Sequence, residues 1–153
     1  MFFCSLTNEI MYRIYLYPLN TTTSRLWIVL AMNTRVLIID RTYLVAMDVE
    51  NILKSSMCCE VSIGSPESLA DHLRDQTYTA VFLESDAFGP SLPEVVDTIL
   101  SAGAALIFLT TNSAFVSGVP GQERYPVLLK PFSDSQLQDL LSGTLAPRSM
   151  PAA

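Results

Sequence analysis

Arg35-Val36-Leu37-Ile38-Ile39-Asp40-Arg41 is the stretch on which the fold turns. Val36 to Ile39 is a continuous β-prone run. A strand with one wet face alternates apolar and polar residues, whereas an unbroken apolar run suits a strand covered on both faces. The run ends on an acid, Asp40. Directly after it, Thr42–Lys54 carries Val45, Val49, Ile52 and Leu53 at helical spacing, with Asp48, Glu50 and Asn51 on the opposite side.

The same alternation repeats outward from this unit. Glu60–Ile63 reads as a second strand closed by Gly64. Ser65-Pro66-Glu67 opens a helix with Ser65 as N-cap, a proline in the first turn and an acid beside it, and Leu69, Ala70 and Leu73 form its apolar stripe. Thr79–Leu83 is a third strand. A loop with Gly89, Pro90 and Pro93 leads into a helix from Pro93 to Ser101, stopped by Gly103. Ala105–Leu109 and Pro126–Leu129 are the fourth and fifth strands, and Ser133–Leu141 is a last helix with Leu137, Leu140 and Leu141 inward. Repeated strand–helix units with apolar strands imply an α/β fold: a five-stranded parallel sheet with helices on both faces. In such sheets the site lies at the carboxyl ends of the strands. The residues to read are Asp40 and Arg41, Gly64, Glu84 to Asp86, Thr110 and Thr111, and Lys130.

These strand ends form a series: Asp40 after Val36–Ile39, Glu84 after Val81-Phe82-Leu83, Thr110 after Ile107-Phe108-Leu109, and Lys130-Pro131-Phe132 after Val127-Leu128-Leu129. From Thr34 to Leu145 the chain resembles the receiver domain of two-component response regulators, which has a flavodoxin-like fold. The resemblance implies a domain over 34–145 in a bacterial, cytoplasmic phosphorelay. In that family an acid pair after the first strand and an aspartate after the third hold Mg²⁺, and the aspartate takes a phosphoryl group from a histidine kinase. A hydroxyl after the fourth strand and a lysine after the fifth respond to it.

Carried over residue by residue, Asp40 matches the first acid, Arg41 stands in place of the second, Glu84 stands at the phosphoacceptor position, Thr110 matches the switch hydroxyl and Lys130 the lysine. Val127 occupies the position, three before the lysine, that is often aromatic. Gly118, Pro120 and Gly121 within Thr111–Tyr125 imply that the fourth helix is shortened or absent.

The departures have a physical direction. Asp40, Arg41, Glu84 and Lys130 sum to zero charge, and Asp86, two residues past Glu84, takes the sum to −1. Hard divalent cations need dense oxygen ligands, so Mg²⁺ binding is expected to be weak or absent, any residual site resting on Asp40, Glu84 and Asp86. Arg41 has the geometry to pair with Glu84 or Asp40 in a two-point contact. Glu84, one methylene longer than aspartate, is expected to displace its carboxylate toward Thr110 and Lys130 as an incomplete mimic of a phosphoryl group. The expected function is that of a degenerate single-domain receiver, not an enzyme, with no cofactor. It acts by contact with a histidine kinase, a phosphotransfer protein or another response regulator. Two further readings stand beside it: a working phosphoacceptor using Glu84 or Asp86 with Mg²⁺, and an inert structural interaction module.

Composition supports a globular domain. The chain has 153 residues, 50% hydrophobic and 16% charged, with a net charge of −6. This excludes a disordered solvating chain, and the absence of a basic run argues against nucleic acid and anionic membrane as partners. Cys4, Cys58 and Cys59 make no disulfide framework and no CxxC pair. Cys58-Cys59 reads as buried thiol. The one histidine, His72, reads as a solvated residue on the polar side of its helix. Residues 1–33 read as an N-terminal extension in which no run reaches the roughly 18–20 apolar residues of a membrane span. The only early charge, Glu9, is the wrong sign for a signal peptide. A docked arm, a partner-binding segment and an overextended gene start with Met32 as the working start are its three readings. Residues 146–153 read as a disordered tail, with no room after Leu145 for an output domain.

Overall fold

The computed structural model describes residues 34–144; the readings of 1–33, of Leu145 and of 146–153 lie outside the described residues. Five strands, β1 (Arg35–Ile39), β2 (Glu60–Gly64), β3 (Ala80–Glu84), β4 (Ala105–Thr110) and β5 (Val127–Leu129), form one parallel sheet in the order β2-β1-β3-β4-β5. Four α-helices cover it: α1 (Tyr43–Ser56), α2 (Leu69–Asp75), α3 (Leu92–Ser101) and α4 (Asp134–Thr144). This is the flavodoxin-like order, with its topological switch point between β1 and β3.

The strand pattern explains the layering. Val36 and Ile38 of β1, with Phe82, Ile107, Leu109 and Leu128, point to the face packed by Ala46, Val49, Ile52 and Leu53 of α1 and Leu137 and Leu141 of α4. Leu37 and Ile39, with Val81, Leu83, Leu106 and Phe108, point to the other face, packed by Leu69 of α2 and Leu92, Val96 and Ile99 of α3. Each such aliphatic or aromatic side chain contributes about 1.5–3 kcal/mol when fully buried. This is why the runs are apolar at every position: both faces are core.

Several boundaries differ from the sequence reading, for local reasons. β3 continues through Glu84 and β4 through Thr110, because Glu84 still pairs with Leu109 and Thr110 with Leu129. The polar residues are therefore the last rungs of the ladder. Before α2, Pro66–Ser68 makes a 3₁₀ turn. It is closed by Ser68, whose hydroxyl accepts the Ser65 N–H and donates to the Ser65 carbonyl, each at 3.0 Å. Ala70 is exposed, so the stripe of this short helix reduces to buried Leu69 and half-buried Leu73. α3 starts at Leu92, with Pro93 in its first turn, and Gly103 follows it at φ +82°, a left-handed conformation that suits glycine. α4 runs on to Thr144 and is opened by a reciprocal cap: Gln136 N–H donates to Ser133 Oγ at 3.3 Å, and Gln136 Oε1 accepts the Ser133 N–H at 2.8 Å.

The expected fourth helix is reduced to one 3₁₀ turn, Ser113–Phe115, among the described residues between β4 and β5. Gly118 at φ +136° and Gly121 at φ +78° turn the chain out of helical geometry. Phe115, Val119 and Tyr125 complete the apolar cover that a helix would supply there, with Tyr125 edge-on to Phe108 at 6.1 Å between ring centroids.

His72 is not the solvated residue expected. It is half-buried, and its Nδ1 lies 3.2 Å from the Tyr78 hydroxyl. It can lie there because Gly64 has no side chain. A Cβ at Gly64 would sit 2.8 Å from His72 Nε2. Cys58 and Cys59 are half-buried rather than fully buried, because they stand in the turn before β2.

Candidate functional site

The carboxyl ends of β1, β3, β4 and β5 bring Asp40, Arg41, Glu84, Asp86, Thr110 and Lys130 to one rim of the sheet. Asp40 follows β1 directly. Its Oδ1 accepts the Thr42 N–H at 2.7 Å, a side-chain turn that opens α1, and its Oδ2 accepts from Lys130 Nζ at 2.8 Å. Asp40 does not cap α1, whose N-cap is Thr42; one of its oxygens holds the Thr42 N–H and the other holds Lys130. The Asp40 and Lys130 side chains are 0% and 7% exposed, so this is a buried pair. Lys130 Nζ also lies 3.6 Å from Glu84 Oε1. Its peptide bond to Pro131 is cis.

Arg41 closes on Glu84. The Arg41 backbone N–H donates to Glu84 Oε2 at 2.9 Å, Nε donates to the same oxygen at 3.1 Å, and Nη2 donates to Oε1 at 3.2 Å. The fork of the guanidinium matches the two carboxylate oxygens. Burial alone would raise the Glu84 pKa. The Arg41 side-chain and backbone hydrogen bonds, with the charges of Lys130 and Arg41, outweigh it and hold the carboxyl below its ordinary range. In turn, Glu84 raises the pKa of Arg41 by hydrogen bond and by charge, with Asp86 and Asp40 adding smaller contributions of the same sign.

Glu84 does not reach toward Thr110 as its length suggested. It reaches Lys130 only at 3.6 Å and spends both oxygens on Arg41. Asp86 takes Thr110 instead. The Thr110 hydroxyl, fully buried, donates to Asp86 Oδ2 at 3.2 Å and accepts the Asn112 N–H at 3.0 Å. Ser85 Oγ lies 3.3 Å from Asp86 Oδ1. Asp86 stands on the 3₁₀ turn Ser85–Ala87, which swings its carboxylate across the end of β4. Val127 pairs with Phe108 and packs on the α2–α3 side of the sheet. It brings no polar group to the rim.

All six carboxylate oxygens of Asp40, Glu84 and Asp86 therefore accept a hydrogen bond from a protein donor. Among the described residues no group of three or more His, Cys, Asp or Glu side chains stands in metal-binding geometry. Asn112 escaped the sequence reading, and Ser85 entered it only as part of the span Glu84 to Asp86, with no role assigned. Both are small polar residues one or two positions past a strand end, where side chains hydrogen-bond the neighbouring backbone, and that position was their only signal.

No protein-family model matches the chain, and no curated protein matches it. Solved structures do. A response regulator receiver protein from Sinorhizobium medicae is 18% identical, with a TM-score of 0.59 over 72% of this chain and 93% of that one. A two-component response regulator from Clostridium difficile is 16% identical, with a TM-score of 0.62 over 76% and 99%. The receiver domain of a sensor histidine kinase from Pseudomonas aeruginosa, solved with magnesium coordinated in its active site cleft, is 17% identical, with a TM-score of 0.58 over 74% and 98%. At these identities the likeness establishes that the described chain has the fold of a receiver domain.

Proposed function

We propose that this chain is an atypical receiver of two-component signal transduction that works by protein–protein contact and not by phosphoryl chemistry. The observation that carries the reading is the two-point contact of Arg41 with Glu84 at the position where a receiver of this fold would hold its phosphoacceptor. A receiver's Mg²⁺ would need carboxylate oxygens free to face it. Here Arg41 and Lys130 supply the positive charge from within, and the donor set does not fit the ion. The resting pocket is held by its own cations, and no catalytic step is assigned to it.

Action by contact is supported by the surface beside the pocket. Tyr43, Leu44 and Met47 stand exposed on the first turns of α1. Clustered exposed apolar side chains of this kind mark interaction surfaces. A groove of about 550 Å³ between α1 and the start of α4, lined by Val45, Asp48, Ile52, Lys130, Phe132 and Asp134, adjoins them. The partner class is a histidine kinase, a phosphotransfer protein or another response regulator, in the cytoplasm. The net charge of −6 is unsuited to nucleic acid. No helix among the described residues is long and apolar enough to cross a membrane.

Incubation of the chain with acetyl phosphate and Mg²⁺, followed by mass spectrometry, tests the reading. The expected result is no phosphoryl adduct on Glu84 or Asp86, together with a flat Mg²⁺ titration of the pocket amides. A stable adduct on either residue would overturn it.

A further inference from the structure

Four large apolar side chains stand exposed among the described residues, and three of them, Tyr43, Leu44 and Met47, share the first turns of α1. A single exposed leucine needs no explanation, but a cluster marks a surface that something covers. Leu44, 71% exposed, lies one helical turn before Asp48, which lines the groove between α1 and the start of α4. Cluster and groove are therefore continuous, with Val45, Ile52 and half-buried Phe132 as apolar lining. Two exposed carboxylates stand on this groove, Asp48 of α1 and Asp134 of α4, and neither is in an ion pair among the described residues. Lys130 lines it too, but its charge is taken by Asp40 at 2.8 Å. An occupant that fits is apolar and carries a cation.

We infer that residues 10–17 of this same chain are the occupant, with Arg13 set between Asp48 and Asp134. These residues lie outside the described ones, and the case for them is chemistry and reach. Ile10-Met11-Tyr12-Arg13-Ile14-Tyr15-Leu16-Tyr17 is apolar or aromatic at every position but one, and that one is a cation. Left in water, such a run is an aggregation hazard, so it needs cover as much as the patch on α1 does. The sign of charge also matches: residues 1–33 carry Arg13 and Arg25 against Glu9, in a chain whose net charge is −6. Residues 18–33 join the run to the start of β1. At ~3.3 Å per residue they reach about 50 Å when extended, several times the roughly 13 Å radius of gyration of a domain of about this size. A tether of this kind gives an effective concentration on the order of millimolar, so a contact too weak to form between separate molecules forms within one. While seated, the segment withholds Tyr43, Leu44 and Met47, and a partner has to displace it. That consequence rests on the reading of this surface as the contact surface; the seating itself does not.

Photo-crosslinking of the full chain tests it. Tyr15 is replaced by a photoreactive benzoylphenylalanine, and an equal mixture of unlabelled and ¹⁵N-labelled chains separates links within one molecule from links between two. The expected product is a link within one chain from position 15 to the α1 segment Tyr43–Ser56 or to the start of α4. Leu44→Glu, at an exposed position that costs the core nothing, is expected to lower the yield several-fold. Arg13→Glu is expected to do the same, and Asp48→Lys with Asp134→Lys in the same chain is expected to restore most of it. Links mainly between chains would show a second copy on the surface and overturn the inference. So would links to other elements, no link at all, or a yield unmoved by Leu44→Glu. A yield lost in Arg13→Glu and not recovered by the two lysines would overturn the placing of Arg13. The seating is read from the position of the link, with no kinase, metal or phosphoryl donor present, so its failure is distinct from a failure of the signalling reading.

Discussion

The guanidinium of Arg41 and the carboxylate of Glu84 meet at two points, Nε to Oε2 at 3.1 Å and Nη2 to Oε1 at 3.2 Å, but they stand in different surroundings. The Arg41 side chain is 57% exposed and that of Glu84 7%. The pair is a buried anion closed over by a solvated cation. Glu84 is therefore the member whose loss of charge matters to the fold, and Arg41 the lid that keeps the charge on it.

The sign of the pH dependence follows from that asymmetry. The folded-state pKa of Glu84 lies below its ordinary value, which is about 4.3 in an unfolded chain. Its ionised form then contributes stability that is complete above the unfolded value and disappears as pH falls through the folded one. The difference in unfolding free energy between the unaltered chain and Glu84→Gln is expected to be constant from pH 7 to about pH 5 and to shrink below that. Urea titrations at a series of pH values measure it. A difference that grows on acidification would contradict the assignment. In Arg41→Ala the loss on acidification is expected to be smaller and to end at higher pH, since the hydrogen bonds that lower the Glu84 pKa are then reduced.

The Lys130–Asp40 pair behaves differently because both partners are buried. Lys130→Met leaves Asp40 and Glu84 without their inner cation, and an uncompensated buried charge costs about 3–5 kcal/mol. Asp40→Asn removes an acceptor of charge but keeps a group able to accept the Thr42 N–H. In a double-mutant cycle, the combined variant is expected to be less destabilised than the sum of the single ones. Denaturant midpoints for the four proteins give the coupling. Strict additivity would show that the 2.8 Å contact contributes nothing as a pair.

The layered fold was legible because the strands are covered on both sides: Val36 to Ile39 are apolar at every position, and the structure splits them alternately between two cores. The missing helix was legible from Gly118, Pro120 and Gly121, whose backbone the structure places outside helical geometry at both glycines. The Arg41–Glu84 contact was one of two pairings open to a cation among strand-end acids. The partner of Thr110 was not legible. Glu84 and Asp86 are two residues apart, and which of them crosses to β4 depends on the 3₁₀ turn at Ser85–Ala87, a twist that side-chain length alone does not reveal. His72 was misread for a related reason. Its place on a helix face pointed to solvent, but the surface above Gly64 is a recess only because position 64 lacks a Cβ.

That recess yields a separate expectation. Gly64 has no left-handed backbone requirement, so the effect of Gly64→Ala is steric and not conformational. The new methyl would meet Ser68 Oγ at 2.6 Å and His72 Nε2 and Cδ2 at 2.8 and 2.9 Å. All three atoms belong to side chains able to move. The cheaper response is for the imidazole to swing outward, which breaks its contact with the Tyr78 hydroxyl at 3.2 Å and uncovers part of a buried tyrosine. The loss of one hydrogen bond and some packing sets the expected cost at about 1–2 kcal/mol. The ring proton signals of His72 are expected to shift toward those of a solvated histidine. Tyr78→Phe provides the control: it removes the same hydrogen bond with no steric push, so its cost is expected to be smaller and the His72 ring is expected to stay in place. Equal stability loss in the two variants, with an unmoved His72 ring in both, would show that Ser68 and not His72 yields to the methyl.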